Sequence, residues 1–76
     1  MQNLTRITFD PNVMSGKPCI RGMRETVGTI VGLVAAGYST VEILKAYPYL
    51  EAADIRESLS YVALRVEERE YPLVAA

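Results

Sequence analysis

The spacing of apolar residues changes period along this chain, and each change predicts an element. Residues 4–10 alternate, with Thr5, Ile7 and Phe9 on one side and Arg6, Thr8 and Asp10 on the other. That period of two predicts a half-buried strand. A lone strand is not stable in water, so this one must pair nearby or with another subunit. Residues 11–22 fit no helical period and are punctuated by Pro11, Gly16, Pro18 and Gly22, which is turn chemistry. Ile20 and the stretch 24–27 offer a short return strand.

A helical period takes over at residue 27. Thr26 can cap a helix over 27–36 that stops at Gly37. Val27, Ile30, Val31 and Val34 make one face, and Gly28, Gly32, Ala35 and Ala36 a smooth second one. A helix with no charge on any side must be covered on more than one side. One face therefore meets its own core and the other a second subunit, through Gly28, Val31, Gly32 and Ala35. The Gly28–Gly32 spacing reads as close packing of a neighbour. Ser39 and Glu42 form a capping box that opens a short helix over 40–47, ended by Pro48. Its inward residues are expected to be Val41, Leu44 and Tyr47, with Ile43 alongside. After a turn, a longer helix is predicted over 52–68. Ile55, Leu59, Val62 and Val66 mark its core line, and Arg56, Glu57, Ser60, Leu64 and Glu67 its outer face.

The order is strand, turn arm, helix, short helix, tight turn, longer helix. The last pair has helix-turn-helix proportions. The expected fold is mainly α: a small three-helix, helix-turn-helix domain with an N-terminal β-strand or hairpin arm. It forms one domain over residues 1–76, divided into an arm (1–26), a three-helix unit (27–68) and a tail (69–76).

Composition narrows this picture. At 76 residues the chain buries little surface, and domains this small usually add a disulfide, a metal or a partner subunit. Cys19 is the single cysteine and there is no histidine, so an internal disulfide and a structural zinc site are both disfavoured. Oligomerisation remains, and a homodimer is expected, with Ile7 and Phe9 of the strand and the smooth helix face as packing residues. No N-terminal stretch looks like a secretion signal, and the 16-residue uncharged run over 26–41 falls short of the roughly 20 residues a membrane span needs. A cytoplasmic protein without membrane contact is expected.

The net charge of −1 hides an asymmetry. Residues 1–24 carry Arg6, Lys17, Arg21 and Arg24 against Asp10, a net of +3. Residues 25–76 carry four basic and eight acidic side chains, a net of −4. A polyanion would meet the N-terminal part first. Lys17, Arg21 and Arg24 sit on a Gly/Pro-stiffened arm, where they can contact phosphates or read base edges. They can equally pair with Asp10, Glu25 or helix carboxylates and hold the arm down. Arg56 and Ser60 on the last helix, with Tyr49 in the preceding turn, are the candidate groove contacts; Glu57 and Glu67 on that helix favour an ordinary wet face. Ser15–Pro18 lacks the spacing of a phosphate-binding P-loop. Cys19 has no histidine to act as its base and reads as a small buried side chain. No spacing brings two carboxylates together in an apolar cleft, so an enzyme, a cofactor or a small-molecule substrate is not expected.

The arm, Ile7-Thr-Phe-Asp-Pro11 then Gly16-Lys-Pro-Cys-Ile-Arg-Gly22 and Arg24, resembles the prokaryotic DUF433 family. So do Gly37, residues 39–50 and residues 54–61. The resemblance covers about residues 7–70. Here Ser15 replaces the first glycine of a pair, Met23 replaces threonine, Glu25-Thr26 replaces Ile-Pro, and Glu51 stands where threonine or serine is common. The resemblance implies a helix-turn-helix or winged-helix relative. It further implies a non-enzymatic antitoxin of the VapB kind, from a type II toxin–antitoxin pair, partnered by a PIN-like ribonuclease toxin. Operator DNA would be a second ligand. The alternatives are a protein-interaction module that never touches DNA and a free-standing transcriptional regulator.

Overall fold

The computed structural model describes residues 4–68. Two short strands and three helices follow one another: β1 (Ile7–Thr8), β2 (Cys19–Ile20), α1 (Val27–Ala35), α2 (Thr40–Ala46) and α3 (Ala52–Glu68). β1 and β2 pair antiparallel, Ile7 opposite Ile20 and Thr8 opposite Cys19. The predicted strand over 4–10 thus shortens to two residues. Cys19 also bridges Thr26, just before α1.

The loop between the strands contains three successive left-handed residues, Met14 (φ 49°), Ser15 (φ 58°) and Gly16 (φ 81°). Gly16 and Lys17 donate back to the Val13 and Met14 carbonyls and close this turn. Each non-glycine residue held there costs about 1–2 kcal/mol.

The helix ends follow the sequence chemistry. The Thr26 hydroxyl accepts from the Thr29 amide and starts α1. Gly37, at φ 97°, ends it: its amide donates to Val34 and that of Tyr38 to Leu33, the paired bonds of a Schellman motif. Ser39 and Glu42 exchange both bonds of the capping box at the start of α2. The predicted limits of the three helices hold to within a residue.

The core joins all five elements. Ile7 and Ile20 from the strands, Val27 and Ile30 from α1, Ile43 from α2, Leu50 from the turn and Ile55 from α3 form one buried cluster. The arm is therefore part of the core and not a projection from it. Ile7 faces its own chain, which removes it as a dimer contact. Phe9, expected beside it, is 58% exposed and meets the Tyr61 ring at a centroid distance of 5.9 Å. In α2 Ile43 is the buried residue, Leu44 and Tyr47 pack against the core as expected, and Val41 is 66% exposed. In α3, Leu59 and Val66 lie outside and the buried face runs through Asp54, Ile55 and Ser58. Ile55 and Val62 keep to the predicted line, Ile55 buried and Val62 packed against the core, and the polar pair Asp54 and Ser58 takes the buried places beside them. α1 covers one side only. Val31 packs against the core, and Gly28, Gly32 and Ala35 are exposed. The predicted tail over 69–76 lies outside the described residues. Among the described residues no helix is long and apolar enough to cross a membrane.

The left-handed positions yield a stability test. Ser15→Gly should stabilise the chain by about 0.5–1 kcal/mol by relieving a side chain held at positive φ. Gly37→Ala should cost about 1–2 kcal/mol. Urea unfolding midpoints measure both, and equal midpoints for all three proteins would refute the strain argument.

Candidate functional site

The strand register places Arg6 and Arg21 one step beyond the Ile7–Ile20 pair, directly opposite each other. The Arg21 amide donates to the Arg6 carbonyl at 2.8 Å. Like charges across a strand pair repel. α3 supplies the answer. Glu51, Asp54 and Glu57 are spaced three apart, so they share the helix side that faces the hairpin.

Asp54 is at the centre and fully buried. Arg21 grips it with two bonds, Nε to Oδ1 at 3.1 Å and Nη2 to Oδ2 at 2.9 Å. Arg6 adds Nη1 to Oδ1 at 3.0 Å. The Glu51 amide donates to Oδ2 at 2.8 Å, so Asp54 also caps the start of its own helix. Glu51 holds Arg6 Nη1 at 2.6 Å, and Glu57 accepts from the Arg6 amide at 2.9 Å. Ser58, also buried, donates to the Asp54 carbonyl at 2.8 Å. Burial pushes the Asp54 carboxyl up, but Arg21, the Glu51 amide and Arg6 outweigh it and hold its pKa below the ordinary value. The Arg6 guanidinium is raised, chiefly by its bond to Glu51.

This network changes the reading of the arm. Arg21 was a candidate phosphate contact; its side chain is bound to Asp54 and, through Nη2, to the Tyr49 carbonyl at 2.9 Å. The pairing alternative, arginine against helix carboxylates, is the arrangement present. Lys17, Arg24 and Arg56 are exposed and have no ion-pair partner among the described residues. Arg24 and Tyr49 line one open recess with Met23 and Glu25. Glu25 does not neutralise Arg24. Its carboxylate accepts from the Tyr49 hydroxyl at 3.0 Å, which raises the Tyr49 pKa. Arg21, Arg24 and Tyr49 thus gather at one edge of the molecule. Arg56 does not join them: it lies two residues, about 200°, around α3 from Asp54. Ser60, half-buried, is one turn further along on the Arg56 side. Cys19 is a buried free thiol, its Sγ 3.2 Å from the Lys17 carbonyl.

Arg6, Glu51 and Asp54 were not singled out by sequence as a site. The readable signal was the three-residue spacing of acids at the start of α3, opposite two arginines each next to a core isoleucine. Among the described residues no three His, Cys, Asp or Glu side chains converge as metal ligands.

The family described as "Protein of unknown function (DUF433)" matches residues 7–62, from β1 through most of α3. The chain belongs to the DUF433 family. That range contains the whole arginine–aspartate network except Arg6. The chain is 38% identical over 55 residues to the uncharacterized protein y4eO of Sinorhizobium fredii (strain NBRC 101917 / NGR234), covering 72% of this chain and 25% of that protein. It also resembles the crystal structure of a DUF433 member from Anabaena variabilis ATCC 29413, with a TM-score of 0.75 and 32% identity over 83% of this chain and 62% of that one. The chain thus spans a quarter of its curated relative's length and about three fifths of the crystallised one.

Removing the buried carboxylate tests the network. Asp54→Ala leaves two facing arginines without their shared anion and should cost about 3–5 kcal/mol. A domain of this size holds about 4–11 kcal/mol in all. Because the folded pKa of Asp54 lies below its unfolded value, its contribution is complete above the unfolded carboxylate range, near pH 4–5, and is lost as pH falls through the folded pKa. Thermal unfolding from pH 7 to pH 2 should show this loss in the wild type and a flatter curve in Asp54→Asn. Parallel curves would rule out Asp54 as the titrating group.

Proposed function

We propose that this DUF433 chain is a non-enzymatic antitoxin module of the type II kind, which binds a PIN-like ribonuclease toxin, pairs with a second copy and also contacts operator DNA. The single observation behind this reading is the amount of apolar surface that the fold leaves uncovered. Phe9, Tyr38, Val41 and Val66 are each more than half exposed, and the uncharged outer side of α1 has Gly28, Gly32 and Ala35 at the surface. A partner that covered these side chains would gain the free energy of their burial. The smooth α1 side suits close approach of a second helix, and the acidic C-terminal half suits a basic partner surface.

DNA contact rests on fewer side chains than the sequence suggested. Lys17 and Arg24, with Tyr49 beside Arg24, are the groups that support it, and Arg56 supports it from another side of α3. A dimer would double each of them. A second reading, a protein-binding module without DNA contact, is favoured by the engagement of Arg21 with Asp54 and by Glu67 on the exposed side of α3. In relatives as long as y4eO such a module would act beside further chain.

Gel shifts on DNA upstream of the gene, at two salt concentrations and with or without the neighbouring gene's product, separate the readings. The antitoxin reading expects co-purification with that product and salt-sensitive DNA binding. Arg24→Ala should weaken binding and lower the salt slope by about one unit. Arg21→Ala should mainly lower the unfolding temperature. Co-purification without any salt-sensitive shift would leave the protein-binding reading standing and remove DNA as a ligand.

A further inference from the structure

Where α1 ends and α2 begins, a recess of about 280 Å³ is lined by Leu33, Tyr38, Glu42, Ile43, Ala46 and Tyr47. The Schellman turn at Gly37 makes it. By reversing the chain there, it brings Tyr38 back over Leu33, a placement that often accompanies this cap. Ile43 forms the buried floor. Tyr47 is half-buried and rests edge-on against Tyr49, their centroids 6.1 Å apart, which fixes one wall. Neither Tyr38 nor Tyr47 has a hydroxyl partner among the described residues.

The recess holds one charged side chain, Glu42. Glu42 accepts the Ser39 amide on Oε1 at 2.8 Å and makes no ion pair among the described residues. The bonds from Ser39 hold the pKa of this carboxyl below its ordinary value. The last turn of α1 ends beside the recess and carries no basic residue, so its negative dipole end is uncompensated. No lysine or arginine lines the walls. An apolar floor, two tyrosine rings and one carboxylate match a side chain with a hydrocarbon stem and a cationic head.

We infer that this recess is a docking site for a lysine or arginine side chain of a partner protein, the stem lying on Leu33, Ile43 and Ala46 and the head reaching Glu42 between the tyrosines. The inference builds on the proposed toxin contact, because it names where a basic partner surface would be read. It is separate from the Arg24–Tyr49 edge, where a cation already stands.

The test titrates the full chain with small probes, followed by amide NMR. The probes are Nα-acetyl-arginine methylamide, the lysine equivalent and the citrulline equivalent, which keeps the shape of arginine without its charge. Saturable shifts at Tyr38, Ile43, Ala46 and Tyr47 are expected for arginine or lysine, with citrulline about threefold to fivefold weaker, the scale of one exposed ion pair. Glu42→Gln should abolish the preference for charge while the fold stays intact, since glutamine also completes a capping box. Tyr47→Leu, checked for folding by circular dichroism, should weaken both charged probes. Equal binding of arginine and citrulline, or shifts confined to Arg24 and Tyr49, would overturn the inference. So would a toxin complex whose affinity is unchanged by Glu42→Gln, an outcome that leaves the antitoxin reading intact.

Discussion

The structure depends on one carboxylate placed where two strands would otherwise repel. Antiparallel pairing of Ile7 with Ile20 forces Arg6 and Arg21 to face each other, and Asp54 meets both from the first turn of α3. A charge with no exposed surface is costly unless nearly every lone pair is used. Asp54 accepts four hydrogen bonds, three from guanidinium groups and one from a backbone amide. The same residue thereby ties hairpin to helix, begins that helix and, through Arg21, anchors the Tyr49 carbonyl in the turn before it. A purely apolar contact at this point would glue the layers without fixing how the hairpin is rotated on α3. The two-pronged Arg21 grip sets that rotation.

This constraint divides the cations of the N-terminal half into two kinds. Arg6 and Arg21 belong to the fold, and Lys17 and Arg24 face solvent. The positive surface is therefore weaker than the charge count over residues 1–24 implies, and the uncovered apolar side chains become the more informative part of the exterior. Phe9 on Tyr61, the smooth side of α1 and the tyrosine-walled recess lie on different elements.

Residues that differ from the family pattern find local reasons. Glu51, at the start of α3, holds Arg6 with its carboxylate, while its own amide is capped by Asp54. Glu25 turns to Tyr49 and leaves Arg24 unpaired. Ser15 accepts a left-handed conformation that glycine would adopt without strain.

The three helices and their ends were legible in the sequence, because Thr26, Gly37, Ser39, Glu42 and Pro48 act on the backbone within a few residues of themselves. Local chemistry of this kind needs no knowledge of the rest of the chain. Membership of the family was legible too, in the arm and in the Ser39–Leu50 stretch. The identity of the buried faces was less so: Ile43 in place of Val41, and Asp54 with Ser58 in place of Leu59, depended on which neighbour each helix met. The pairing of Arg21 was decided by tertiary structure alone. Its partner lies 33 residues away, and the attraction of an arginine for a carboxylate is equally strong for a phosphate. Only the packing of α3 against the hairpin, which brings that carboxylate within 3 Å and takes it out of water, selects one over the other.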